Sequence, residues 1–373
     1  MMFSRVSHFI ISGSLCLWSA LSLAQNLPTP VANPVPAPTL AANAWLLVDF
    51  QSGQVLAQEK PDERIAPASL TKLMTAYLSF TALREGRLKL TQTLPISEKA
   101  WKAEGSRMFL QPNQPARVEE LIRGMIVQSG NDACITLAEA IAGSEESFAA
   151  LMNQQAQKLG MKNTHFMNAT GLPNPQHYTT ARDLSLLASA IVRDFPEFYP
   201  IYSLKEYRYN NITQPNRNRL LTMDPSVDGL KTGHTDAAGY CLIASAKREQ
   251  RRVLSVVLGT ASDLARATES QKLINYGMQF FETPKLYAKE QAVAQLPVWK
   301  GEKNQLKVGF TTDRYVTLPH GQAAKITRQL VPNQPLVAPI QRGQAVGVMK
   351  VQLDGKPFAD YPVLALETIP AGG

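Results

Sequence analysis

Val227-Asp-Gly-Leu-Lys-Thr-Gly-His234, Tyr240-Cys-Leu-Ile-Ala-Ser-Ala-Lys247 and Arg252-Val-Leu-Ser-Val-Val-Leu-Gly259 are three extended runs separated by short turns at 236–239 and 248–251. Runs this close together pair as an antiparallel meander, because a parallel return needs a crossover of a dozen or more residues. Leu242, Ile243, Val256, Val257 and Leu258 place apolar side chains on both faces, so the strands need cover on each side. Far upstream, Trp45 to Phe50, the turn Gln51-Ser-Gly-Gln54 and Val55 to Gln58 predict a hairpin. Between hairpin and meander the pattern is helical over 69–84, 117–128, 132–143, 146–159 and 181–194, the last opened by Thr180 and Asp183 spaced like a capping box. A further helix from Leu264 to Phe281 follows the meander. The fold class is therefore α+β, an antiparallel five-stranded sheet sandwiched by helices over residues 41–282.

From Pro284 the pattern changes to short strands, Leu306 to Phe310, Arg314 to Leu318, Ala345 to Leu353 and Pro357 to Leu366, with Asp354-Gly355 as a hairpin turn. Residues 283–373 read as a separate small all-β domain. It holds no serine and no nucleophile constellation, which makes it a spacer or docking piece. At the other end, Arg5, the apolar run Phe9 to Leu23 and Ser22-Leu-Ala24 read as a signal peptide over 1–24, cleaved before Gln25 and carrying Cys16 away with it. Leu15 before that cysteine excludes a lipoprotein signal, and no later stretch reaches the ~20 apolar residues of a membrane span. Residues 25–40, with Pro28, Pro30, Pro34, Pro36 and Pro38, read as an extended tether. The mature chain is expected to be exported to the periplasm.

The 38 Lys and Arg against 30 Asp and Glu give a net charge of +8, but the basic residues are dispersed. An exported protein meets acidic envelope polymers and anionic lipid, not nucleic acid. Cys134 and Cys241 fall in predicted core elements and read as free thiols. The five histidines have no paired ligand spacing, so neither a metal nor another cofactor is implied.

Three short motifs carry chemistry. Ser69-Leu-Thr-Lys72 opens a run without charge from Leu73 to Leu83, which reads as a buried helix. With Pro67 just upstream, Ser69 falls in the first turn and Lys72 beside it at i+3. Burial lowers a lysine's pKa, and the neutral amine can take a proton from a hydroxyl. Ser129-Gly-Asn131 lies between two predicted helices, with Gly130 allowing a tight turn and Asp132 available as N-cap. Lys231-Thr-Gly233 lies on a strand expected at the sheet edge, where Gly233 leaves room for a ligand backbone and free N–H and C=O groups can pair with an extended substrate. The first two motifs alone have ordinary readings: a capping serine with a solvated lysine, and common loop chemistry.

The ordered triplet resembles the penicillin-binding and serine β-lactamase superfamily. Pro67-Ala-Ser-Leu-Thr-Lys-Leu-Met-Thr75, Gln128-Ser-Gly-Asn-Asp-Ala-Cys134, His177-Tyr-Thr-Thr-Ala-Arg-Asp183, Asn216-Arg-Asn218 and Asp228-Gly-Leu-Lys-Thr-Gly-His-Thr235 narrow the resemblance to the low-molecular-mass D-alanyl-D-alanine carboxypeptidases. It implies that Ser69 attacks the carbonyl between the last two D-alanines of a peptidoglycan stem peptide with Lys72 as base. It further implies that Ser129 and Lys231 return the proton to the departing amine, the charge of Lys231 helping to keep Lys72 neutral. The backbone N–H groups of Ser69 and His234 would form the oxyanion hole. Thr232, with Arg266, would hold the terminal carboxylate and Asn131 the substrate amide, while Arg217 either orients the cleft or sits in a structural salt bridge.

Such an enzyme takes β-lactams as covalent inhibitors. No Glu-x-x-Leu-Asn stretch, the deacylating loop of class A β-lactamases, occurs between Asn131 and Lys231. A D,D-endopeptidase using the same groups and a catalytically silent wall-binding scaffold are the alternatives. Members of this subfamily usually end in a basic amphipathic helix lying on the membrane. None follows Thr368-Ile-Pro-Ala-Gly-Gly373, which leaves peripheral contact with the inner membrane open.

Overall fold

Strand β1 (Ala44–Asp49) returns as β2 (Val55–Glu59), and the meander forms β3 (Val227–Thr235), β4 (Gly239–Arg248) and β5 (Arg251–Thr260). A computed structural model describes residues 29–373, in which these strands join as one antiparallel sheet of order β2-β1-β5-β4-β3. Hairpin and meander are neighbours through β1 and β5, whose register runs from Ala44 opposite Leu258 to Asp49 opposite Val253. The motif strand β3 is an edge, as expected.

Both faces of the sheet are covered. On one lie α1 (Lys72–Arg84), α2 (Val118–Val127), α3 (Asn131–Ala142), α4 (Glu145–Lys158) and α5 (Ala181–Asp194); on the other lies α6 (Asp263–Phe280). Leu46, Val48, Val256 and Leu258 point into the larger helical layer with Leu73, Met74 and Phe80 of α1. Leu47, Leu56, Val253 and Val257 point to the α6 side with Leu273 and Ile274. The alternation along β1 and β5 thus feeds two cores from one sheet. Helix α1 is wrapped on nearly every side, which its uncharged sequence required.

The six-stranded sheet of the C-terminal lobe has the order β8-β10-β11-β7-β6-β9, built from β6 (Ala292–Trp299), β7 (Gln305–Gly309), β8 (Ile326–Pro332), β9 (Leu336–Val337), β10 (Ala345–Leu353) and β11 (Lys356–Ala365). It encloses its own core around Leu306, Val308, Phe310, Val346 and Val363. Strands β6 and β8 were not foreseen, because Pro297 and the polar alternation of β8 mask them. The expected Arg314 to Leu318 strand is two short pieces, Arg314–Tyr315 and Leu318–Pro319. The lobe meets the first at the tip of the β1–β2 hairpin. There Thr317 donates its N–H to Gln54 Oε1 at 2.7 Å and accepts from Gln54 Nε2 at 3.1 Å, while its hydroxyl contacts Ser52 Oγ at 2.6 Å. Buried Asp49 accepts from Thr283 Oγ1 at 2.7 Å and pairs with Arg251 at 3.1 Å.

Two expectations are corrected. The proline-rich stretch is no free tether from Val31 onward. Val31 N–H bonds Val55 O, Asn33 Nδ2 bonds Phe280 O, Tyr276 Oη bonds Val35 O, and Leu40 is buried. Extended backbone with few internal bonds leaves donors and acceptors free for the folded lobe to satisfy. Residues 1–28, and with them the expected signal peptide, lie outside the described residues. The capping box at α5 is half formed, since Thr180 Oγ1 accepts from Asp183 N–H but the Asp183 carboxylate goes to Asn163 and Thr164. Cys134 and Cys241 are buried free thiols, as read from the sequence.

Candidate active site

Ser69 lies in a turn of 3-10 helix, Ala68–Thr71, that runs directly into α1. Ala68 adopts a left-handed φ of 48°, and Gly171 lies so close that a Cβ there would fall 1.8 Å from the Ala68 carbonyl oxygen. The neighbouring loop therefore has to carry glycine for the nucleophile turn to sit where it does. Lys72, 2% exposed, reaches Ser69 Oγ at 2.9 Å and donates to Thr170 O at 2.7 Å. Burial, reinforced by the Arg217 guanidinium, lowers its pKa to about 8, against opposing pulls from Cys134 and Asp132. With one N–H on Thr170 O, the neutral amine can turn its lone pair to the Ser69 hydroxyl.

Thr71 is fixed as well. Its Oγ1 lies 2.7 Å from Nε2 of buried His177, whose Nδ1 accepts from Met167 N–H at 2.9 Å. That bond makes Nδ1 the acceptor and places the ring proton on Nε2, donating to Thr71.

Between α2 and α3, the left-handed residue is Ser129 at φ 54°, not Gly130, which sits at φ −67° as the N-cap of α3. Asp132, expected as the cap, lies inside the helix, and its carboxylate accepts the N–H groups of Met108 and Leu110 at 3.0 Å each. Gly130 is needed for closeness: a Cβ would lie 2.9 Å from Asp132 Oδ1 and 3.2 Å from Met108 N. The strained turn aims Ser129 Oγ at Lys231 Nζ, 3.0 Å away. Lys231, 4% exposed, also donates to Thr232 O at 3.0 Å. Its pKa is pushed down by burial first, then by Lys72 and Arg217. The ammonium forms of Lys72 and Lys231 are both disfavoured in one cleft, and Arg217 bears on both.

Gly233 serves a different purpose from the one expected. Its missing Cβ faces Leu70 Cγ at 3.2 Å, with Leu70 N and Pro67 O both at 3.3 Å, so it lets β3 close onto the turn carrying Ser69. Thr232 and Gly233 are buried and line, with Ser69, Ser129 and exposed His234, a groove of about 630 Å3. The His234 ring stacks on Tyr240 at 3.9 Å. Asn131 donates Nδ2 to Glu104 O at 2.6 Å, which leaves its buried Oδ1 without a partner.

The groove's other wall is cationic. Exposed Arg217 donates to Ser106 Oγ at 2.7 Å, and among the described residues no carboxylate pairs with it, so the structural salt bridge considered for it is absent. Arg266 is buried, bonded to Asp263 at 2.6 Å and to Gly233 O at 3.4 Å. Asp263 also pairs with Arg219, tying the 216–219 loop to the start of α6. Ser106, Arg219, Tyr240 and Asp263 were missed from sequence. Only the Asp263–Arg266 spacing of i, i+3 at a helix start gave a signal. Among the described residues no group of three or more His, Cys, Asp or Glu could hold a metal ion.

Two hydroxyl–amine pairs, meeting on one groove beside a free strand edge, suit acyl transfer to serine with a separate proton path for the leaving group. Comparison with known proteins agrees. Residues 31–262 match the family model described as D-alanyl-D-alanine carboxypeptidase, and residues 281–371 match the model of the penicillin-binding protein 5 C-terminal domain. D-alanyl-D-alanine carboxypeptidase DacC of Escherichia coli K12 is 43% identical over 347 residues, spanning 91% of this chain and 87% of that relative. Penicillin binding protein 5 from Haemophilus influenzae has a similar solved structure, with a TM-score of 0.87 and 39% identity over 90% of this chain and 99% of that one. Penicillin binding protein 6B from Escherichia coli has a TM-score of 0.75 and 35% identity over 90% and 98%.

Proposed function

The chain belongs to the D-alanyl-D-alanine carboxypeptidase family of serine hydrolases, and on that premise we propose that Ser69 is the nucleophile with which it removes the terminal D-alanine from peptidoglycan pentapeptide stems. What carries the reading is the pairing of Ser69 Oγ with Lys72 Nζ at 2.9 Å and of Ser129 Oγ with Lys231 Nζ at 3.0 Å on the same groove.

Lys72 takes the Ser69 proton as Oγ bonds the carbonyl carbon, and the N–H groups of Ser69 and His234 hold the oxyanion. Thr232 and Arg266, with Arg217 beside them, receive the free carboxylate. That negative charge favours the protonated form of Lys231, which then has a proton to pass through Ser129 to the departing nitrogen. The C–N bond breaks and D-alanine leaves as its amine; the proton on Lys72 then passes on to refill Lys231, and neutral Lys72 takes a proton from water as it attacks the ester and returns it to Ser69 Oγ as the acid leaves. The unpartnered Asn131 Oδ1 is suited to accept an N–H from the substrate backbone. Penicillin, as a mimic of the same dipeptide end, acylates Ser69 and is released slowly.

Ser69→Ala abolishes both D-alanine release and labelling by a fluorescent penicillin, whereas Lys72→Ala folds but is not acylated. Incubation with a pentapeptide and with a cross-linked dimer, followed by mass spectrometry, tests the reaction. Cleavage of the dimer alone establishes an endopeptidase instead, and no labelling of the native protein establishes a silent scaffold. We further place the mature protein in the periplasm after removal of residues 1–24, with residues 41–282 as the catalytic unit and 283–373 as a spacer. Among the described residues no helix is long and apolar enough to cross a membrane. Vesicle flotation of the native protein decides whether it touches lipid.

A further inference from the structure

The strand that carries Lys231 holds one residue more than its neighbour can match. Val227 lies opposite Ala246 and Gly229 opposite Ser245, so Asp228 is an extra residue bulged out of β3. Beyond the bulge Lys231 lies opposite Ile243, which packs into the helical layer with Leu73 and Met74. Were Asp228 paired with Ser245 instead, every later residue would slip by one, and Lys231 would come opposite Leu242, which packs toward α6. The bulge therefore decides which face of the sheet receives the amine.

What holds the bulge comes from two distant elements. Buried Arg252 on β5 reaches across β4 and grips both oxygens of the Asp228 carboxylate, at 2.7 and 2.9 Å. It passes over Ser245, whose Oγ accepts from the same guanidinium at 2.6 Å. From the turn Tyr199–Ser203 after α5, buried Tyr199 donates its hydroxyl to Asp228 Oδ1 at 2.7 Å. The residue after Asp228 has no room for a side chain, since a Cβ on Gly229 would fall 2.6 Å from that hydroxyl. A bidentate guanidinium fixes direction as well as distance, and the phenol fixes the carboxylate from the helical side. None of Tyr199, Asp228 and Arg252 lines the groove.

We propose that Arg252 and Tyr199 are positioning residues for the reaction: by holding Asp228 they keep the bulge, and through it the aim of Lys231 at Ser129. The inference rests on the carboxypeptidase reading above. Their effect reaches the chemistry through the 3.0 Å contact of Lys231 Nζ with Ser129 Oγ, and a misplacement of about 1 Å there is enough to cost about a hundredfold in rate. The step most exposed is the one that uses this contact, delivery of a proton to the departing nitrogen. An amide nitrogen must gain a proton to leave, whereas a thiolate leaves with the electron pair alone.

The test compares Nα-acetyl-L-Lys-D-Ala-D-Ala with its thioester analogue, in which sulfur replaces the scissile nitrogen. Both give the same acyl-enzyme and carry the same free carboxylate, and kcat/KM for each reports acylation. Ser129→Ala sets the scale by lowering the peptide-to-thioester ratio of kcat/KM; an unchanged ratio there overturns the inference, because the proton path would not be limiting. Arg252→Met lowers the ratio by at least about tenfold. Tyr199→Phe, which keeps the ring and loses one bond, lowers it by about threefold. Arg252→Lys, which keeps a cation beside Asp228, falls between Arg252→Met and the native protein. Equal losses on both substrates are what lost fold or lost binding produces, and they overturn the inference. If Arg252→Met does not fold by circular dichroism, Tyr199→Phe decides alone. If the native protein cleaves neither substrate, the functional reading falls and this inference with it; if it cleaves both and the variants keep the native ratio, only this inference falls.

Discussion

The acylation rate should follow the titration of Lys72, and the structure sets the scale. With a pKa of about 8, roughly one-tenth of Lys72 is neutral at pH 7, against about one part in 3,000 at the ordinary value of 10.5. Burial therefore supplies about 300 times more of the form that can accept the Ser69 proton. The base must be deprotonated, so the sign is fixed: acylation rises with pH, close to tenfold per unit from pH 6 to 7, reaches half its plateau near 8 and levels by about 9 to 10. The perturbation is Arg217→Gln, which removes a positive charge that pushes the Lys72 pKa down. The midpoint should move to higher pH, whatever happens to the plateau through lost contact with the ligand carboxylate. The assay is the second-order rate of fluorescent-penicillin labelling, measured in steps of half a pH unit on native protein and variant, with circular dichroism confirming the fold at each pH. A rate independent of pH between 6 and 9, one that falls across that range, or a midpoint that moves down in Arg217→Gln would refute the assignment of Lys72 as base.

Gly171→Ala should cost the protein its acylation, because at φ 92° the new Cβ would overlap the Ala68 carbonyl oxygen at 1.8 Å and push the nucleophile turn aside. Labelling more than half as fast as in the native protein would show that the loop yields without consequence. Asp228→Ala leaves buried Arg252 without the carboxylate it grips at 2.7 and 2.9 Å, and a loss of about 3 kcal/mol is expected in urea unfolding. A change under roughly 1 kcal/mol would mean that the bonds from Arg252 to Ser245 and Tyr199 suffice. His177, with its pKa lowered from 6.5 to about 4 by burial, stays neutral in the folded state while the unfolded chain takes up a proton. Stability is thus full above pH 6.5 and falls below it, by about 2 kcal/mol at pH 5 and about 3 kcal/mol at pH 4 from this group alone. Unfolding midpoints that are level between pH 6.5 and 5 would contradict it.

Much of this was legible because the decisive signals are local. An uncharged stretch after Lys72 can only be an enclosed helix, and runs such as Val253 to Leu258 can only be central strands, so the layers followed from hydrophobic pattern alone. The three motifs are contiguous; helical spacing gave the pair Ser69–Lys72, and the resemblance that the ordered motifs carry implied Ser129 with Lys231 before any coordinates. What stayed hidden depends on contacts distant in sequence. Thr170 O lies 98 residues from the amine it binds, and nothing in Thr170-Gly171 announces that Ala68 will rest against it. Likewise, reading Gly130 as the flexible member of its turn was reasonable from propensity. Packing against Met108 and Asp132 instead took the glycine for closeness and left the left-handed backbone to Ser129. Residues 31–40 misled for a similar reason: composition predicts that they build no core, but not that a finished core will hold them through the Val31 N–H, the Asn33 amide and the Val35 carbonyl.

The clasp of Gln54 and Thr317 has a mechanical consequence. It grips the tip of the first hairpin, at the sheet margin farthest from β3, while Asp49, Thr283 and Arg251 brace the same corner from beneath. Load carried by the Gln54–Thr317 clasp enters the sheet across β2 and β1 and must cross two more strands before it reaches the mouth that holds Lys231. Through that contact the lobe bears on the margin of the sheet opposite to the one where the amines and hydroxyls stand.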